Sequence, residues 1–140
     1  MNHITIRDAV NAFEAEMYKQ PQVELEVKHY FSDGVYAREL AIPAGVLLTG
    51  KIHKYQQINI LSKGKIRVLT DNGVVEVEAP FTVVSPPGTK RIAFSVTDCV
   101  WTTFLPTDET DPKKIEDKFT AATEEEYQAF LTSENQKCLS

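Results

Sequence analysis

The chain has 140 residues, 42% of them hydrophobic, which suits one domain with its own core and leaves little room for a second. Its net charge of -5 excludes general nucleic-acid binding, which needs a surplus of Lys and Arg on at least one face, but leaves room for a local basic pocket. No apolar run reaches the roughly 18 residues of a membrane span, and Met1 to Asp8 lack the charged-then-apolar order of a signal peptide, so the expectation is a cytoplasmic protein with no membrane partner.

Residues 5–19 predict an amphipathic helix. Thr5 can cap it, Ile6, Val10, Phe13 and Met17 fall three or four apart, and Pro21 follows its end. The apolar stripe is expected to pack on the body of the domain. From Val23 to Leu105 the pattern shortens to segments rich in Val, Ile, Thr, Phe and Tyr. Asp33-Gly34, Pro43-Ala44-Gly45, Lys63-Gly64, Asp71-Asn72-Gly73 and Pro86-Pro87-Gly88 punctuate them, which predicts about eight strands. The sharpest signal is Asn72-Gly73, where a type I′ turn would join a strand at 65–70 to one at 74–79. Beyond Pro106 a polar stretch predicts a helical segment over 111–132. One helix has Asp111 as cap and Pro112 at its first position. A second starts at Thr123, with Glu126 at capping-box spacing and an apolar face of Tyr127, Phe130 and Leu131. Residues 133–140 are expected to fray. Cys99 and Cys138 have no CxxC spacing and read as reduced thiols, Cys99 as a small buried hydrophobe.

Two stretches carry the functional signal. Gly45-Val46-Leu47-Leu48-Thr49-Gly50-Lys51-Ile52-His53-Lys54-Tyr55-Gln56-Gln57, continuing to Gly64, resembles the first cupin motif. Gly45 and Gly64 take its glycine positions and His53 its second histidine, while Lys51 replaces the first histidine and Gln57 the glutamate. Pro86-Pro87-Gly88-Thr89-Lys90-Arg91 resembles the second motif, with Arg91 in place of the histidine. The resemblance implies a single antiparallel cupin-type β-barrel, or jelly roll, spanning 23–105, with an N-terminal helix and one or two short C-terminal helices. Ile58 to Gly64 and Ser85 to Arg91 also resemble stretches of small phage-encoded cupin-like proteins, which implies a viral origin and a sponge for a host defence signal as one possible role.

Side chains alternate along a strand, so Lys51, His53 and Tyr55 are expected on one side, Gln57 and Asn59 on the facing strand, and Arg91 among them. Lysine and arginine repel a divalent cation, and one histidine with one glutamine falls short of a stable ligand set. The expectation is no cofactor and no metal, the alternative being a weak metal site on His53 completed by Tyr55 or His29. The replacements suit an anion instead. Arg91 offers a two-pronged grip, Lys51 a point charge, and His53, Gln57 and Asn59 directional hydrogen bonds. Tyr36, Tyr55, Phe94 and Trp101 could stack on a ring. The competing reading is a solid core with Lys51 and Arg91 drawn to the rim to pair with carboxylates such as Glu39 or Glu76. His3 and His29 hold no motif position and read as ordinary residues. Ser62, Ser85 and Ser95 lack a nucleophile setting, and the acidic tracts 108–111 and 124–126 read as solvated faces. The expected protein binds a small anion, with nucleotides among the candidates. It forms a homodimer through Ile58 and Ile60 or the terminal helices. The alternatives are a cupin enzyme, with or without metal, and a virion assembly protein.

Overall fold

The computed structural model describes residues 5–70 and 72–139, the last two by backbone alone. His3, the Cys138 side chain and Asp71 of the hairpin turn therefore lie outside the described residues, as does the type of that turn. Helix α1 (Ile6–Met17) begins where Thr5 accepts a hydrogen bond from the Asp8 amide and the Asp8 carboxylate accepts one from the Thr5 amide. Its inward face is not the apolar stripe. Val10 is buried, but Phe13 points outward and is 46% exposed. Arg7, Asn11 and Glu14 turn inward instead, because each meets a polar partner: Arg7 the Glu124 carboxylate and Gly88 carbonyl, Asn11 and Glu14 the buried Lys90 ammonium.

Among the described residues eleven strands follow, every pair antiparallel: β1 (Glu26–Ser32), β2 (Val35–Ile42), β3 (Leu47–Thr49), β4 (Ile52–His53), β5 (Gln57–Lys63), β6 (Lys65–Thr70), β7 (Gly73–Glu78), β8 (Phe81–Ser85), β9 (Ile92–Ser95), β10 (Cys99–Leu105) and β11 (Thr120–Ala121). One sheet runs β1-β2-β10-β5-β8, a second β3-β9-β6-β7, and a third pairs β11 with β4. The predicted hairpin is β6–β7, with Thr70 opposite Gly73. The ladders do not close into a ring, so the all-β jelly roll is a sandwich of two facing sheets. Its core draws Leu40, Ile42, Leu61 and Cys99 from the first sheet and Ile66, Val68 and Ala93 from the second. Burial raises the Cys99 thiol pKa, as suits a packed residue.

Helix α2 (Pro112–Phe119), capped by Asp111, sets Ile115 and Phe119 against Tyr36 and Leu105. Helix α3 (Glu124–Leu139) packs Tyr127 on Ile52 and Ala121, with Phe130 and Leu131 beside them. It continues through 133–139, where fraying was expected, because no Gly or Pro interrupts it. No helix among the described residues is long and apolar enough to cross a membrane.

Candidate functional site

Strand register builds the site. In the five-stranded sheet His29 stands opposite Arg38, Arg38 opposite Thr103, and Thr103 opposite Asn59. Directly opposed residues share a face, so these four form one polar row across β1, β2, β10 and β5. The next row in is Val27, Leu40, Trp101 and Leu61, which is apolar. All of these but Leu61 line a cavity of about 590 Å³, within the range of small-molecule sites. It is therefore not the solid core of the competing reading.

His53 enters from the other side on β4, a strand of two residues held at both edges. Its amide donates to the Thr89 carbonyl (2.9 Å) and its carbonyl accepts from the Gly88 amide (2.7 Å), while Thr120 pairs opposite it on β11. The two motif stretches thus meet at His53. Arg91 sits behind, its guanidinium 5.6 Å from the Trp101 ring centre, donating to the Ser85 hydroxyl (2.6 Å). Ser85 also accepts from Asn59 Nδ2 (2.8 Å), and Asn59 Oδ1 accepts from Thr103 (2.7 Å). Asn59 is wholly buried, with both ends of its amide engaged. It orients Ser85, which orients Arg91.

Two polar atoms in this region are buried without a partner among the described residues, His53 Nδ1 and Gln57 Oε1. Burial and then the charges of Arg91 and Arg38 push the His53 pKa down to about 4, so the imidazole is neutral at pH 7. Burial also lowers the Arg91 pKa, though a guanidinium remains charged. Arg38 lines the cavity yet is solvent-exposed, which puts it at the mouth. Among the described residues neither Arg38 nor Arg91 has a carboxylate within ion-pair distance. The two lysines of the lining are neutralised, Lys90 by Glu14 and Lys51 by Glu116.

Of the six residues singled out by motif and alternation, the structure brings His53, Gln57, Asn59 and Arg91 to the cavity interior and Lys51 to its rim. Lys51 snorkels to Glu116 on α2, not to Glu39 or Glu76. Tyr55 turns away, its ring edge-on to Phe119 and Phe130, because β4 ends at His53 and the in-out alternation lapses in the turn beyond. Of the proposed stacking rings, Tyr36 and Trp101 line the cavity while Tyr55 and Phe94 do not. His29, read as ordinary, lies in the polar row with Nδ1 2.6 Å from the Tyr36 hydroxyl. Arg38 was missed altogether. The available signal was its place in step with Tyr36, Leu40 and Ile42, all of which are buried.

The donor set does not fit the metal that cupin proteins commonly hold. Its single motif imidazole faces a guanidinium where the last ligand would stand, and among the described residues no group of three His, Cys, Asp or Glu converges. No protein-family model matches the sequence, and no curated protein matches it. Solved structures do match in fold. A cupin superfamily protein from Desulfitobacterium hafniense is 9% identical, with 67% of this chain and 87% of that one covered at a TM-score of 0.51. KdgF from a Halomonas species is 17% identical, with 62% and 84% covered at 0.50. The cupin domain of an XRE family transcriptional regulator from Enterobacter cloacae is 11% identical, with 61% and 98% covered at 0.50. The chain has a cupin fold. A domain of a transcriptional regulator shares that fold, and a fold alone does not assign a function, so function rests on the cavity.

Proposed function

We propose that the chain is a non-catalytic binding protein, acting in the cytoplasm, that holds a small organic anion in the cavity of its jelly roll. One observation carries this reading: Arg38 and Arg91 border the same 590 Å³ space with no carboxylate partner among the described residues, while the neighbouring Lys51 and Lys90 are paired. A guanidinium withdrawn from water without a counter-charge is unfavourable, and a bound carboxylate or phosphate relieves that with directional, charge-assisted bonds. His53 can donate to the anion in the tautomer protonated at its unbonded Nδ1, whereas Gln57 Oε1 is an acceptor and suits a hydroxyl of the ligand. On the phage resemblance, the role of such a binder is sequestration, which requires tight binding without turnover.

The test is a native mass spectrum of protein purified without chelator, beside that of Arg91→Ala. The expected result is an organic acid retained by the wild type and lost from a variant whose unliganded melting temperature is unchanged. Equal retention in the variant, or a stoichiometric metal ion, would overturn the reading. A second reading, metal-free proton transfer, is favoured by the buried neutral His53 imidazole lying near two positive charges that could hold a developing anion. Consumption of the retained acid during incubation would favour it over sequestration.

A further inference from the structure

Resting on the anion-binding reading, the distribution of polarity within the cavity says what the rest of the ligand is. The charged groups without an ion-pair partner among the described residues lie in one band with their polar neighbours, Arg38 and His29 at the exposed side, then Thr103 and Asn59, with Arg91 and His53 across from them, while the other charges of the lining are closed pairs, Lys51 with Glu116 and Lys90 with Glu14. Inward of that band both walls are mainly apolar, with the Trp101 indole N–H and the Arg91 guanidinium 5.6 Å from the Trp101 ring centre marking where the polar band meets them. Leu40 and Trp101 stand opposite each other on the first sheet, and on the second Leu48 stands opposite Ala93 and Ala93 opposite Val68. All five line the cavity. We infer that the ligand is an amphipathic acid, a carboxylate or phosphomonoester whose acidic head bridges Arg38 and Arg91 and whose apolar body lies inward between these two walls.

The arrangement is self-consistent in solvation. The head stays at the level of the solvent-exposed Arg38, where its charge keeps part of its hydration, and the hydrocarbon takes the space that water fills poorly. A nucleobase in the same place could stack on Trp101 but would set most of its ring nitrogens and exocyclic groups against Leu40, Leu48, Val68 and Ala93, which offer no side-chain donor or acceptor. Apolar burial strengthens binding by about fourfold per methylene, so a short alkyl chain should outweigh the head alone by a wide margin.

Trp101 is the only tryptophan of the chain, and it lines the cavity, so its fluorescence reports on occupancy directly. The experiment titrates the full chain with octyl phosphate below its micellar concentration, inorganic phosphate, adenosine monophosphate and 1-octanol. The expected result is a change in Trp101 emission with octyl phosphate, at an affinity at least tenfold above each of the other three. The Arg38→Met/Arg91→Met double variant should lose that binding at least tenfold. Leu48→Gln, which leaves both arginines in place, should weaken octyl phosphate while leaving inorganic phosphate unaltered, and it serves as the test if the double variant does not fold. Inorganic phosphate binding as tightly as octyl phosphate would overturn the amphipathic ligand and leave the anion site standing. Adenosine monophosphate binding more tightly would overturn it in favour of a polar body. No response to any phosphate-bearing probe would overturn the anion reading itself.

Discussion

Burial makes a charged His53 imidazole unfavourable, and the positive charges of Arg91 and then Arg38 add to this, so its pKa falls from 6.5 to about 4. The sign of the consequence follows from where the proton goes. Between pH 6.5 and pH 4 the unfolded chain binds a proton at this imidazole that the folded chain does not. Stability therefore falls as the pH is lowered through that window and levels off below it. The loss amounts to about 3 kcal/mol over the whole window. Urea denaturation at pH 7 and at pH 4.5 should show it in the wild type, and His53→Gln should remove most of the difference. An equal loss in the variant would assign the effect to other groups. The two motif glycines separate in the same concrete way. A Cβ on Gly64, at φ +92°, would lie 2.2 Å from the Asp98 carbonyl oxygen, whereas one on Gly45, at φ +81°, meets nothing within 4 Å. Gly64→Ala is expected to lose at least about 3 kcal/mol or fail to fold, and Gly45→Ala about 1 to 2 kcal/mol from backbone strain alone. Thermal melts of the pair check the contrast.

Helix α1 shows what hydrophobic spacing can and cannot reveal about an element. Thr5, the spacing of Ile6, Val10 and Met17, and Pro21 locate it to within two residues at its far end. Which face turns inward was hidden, because that depends on Lys90, 79 positions beyond Asn11 in the chain and only 5% exposed. An ammonium so far from water needs charged and hydrogen-bonding partners, and Asn11 at 2.6 Å and Glu14 at 2.8 Å supply them. Glu14 also accepts from the Thr49 hydroxyl. Glu14→Ala should therefore destabilise the protein by about 3 kcal/mol, since it strands the Lys90 charge. Phe13→Ala should cost less than about 0.5 kcal/mol beyond its loss of helix contacts, although Phe13 is the bulkier member of the apparent stripe. Denaturant midpoints of the two variants decide it, and the reverse order would mean that α1 is held by its apolar residues. Strand β11 was illegible for a different reason. Two residues between helices have no period to detect, and only their pairing with Ile52 and His53 defines them.

For the molecule as a whole, the turn signals and the two motif stretches were enough to anticipate an antiparallel jelly roll flanked by helices. Those features are local, and each glycine or proline marks its own turn. The candidate site was legible where a motif position pointed at it, as with His53, Gln57 and Arg91, and where alternation or ring chemistry extended it, as with Asn59, Tyr36 and Trp101. Arg38 and His29 escaped because their membership is a matter of register between strands, which no single segment encodes. That same fact has a kinetic side. The polar row takes positions 29, 38, 59 and 103, one from each of four strands, and no two of those strands but β1 and β2 are joined by a short turn. No fragment and no early, locally folded species can present the row, so the site comes into existence together with the finished sheet. A ligand present during refolding cannot template its own pocket. It can only trap molecules that have already completed the topology, which makes ligand capture a clock for the last step of folding.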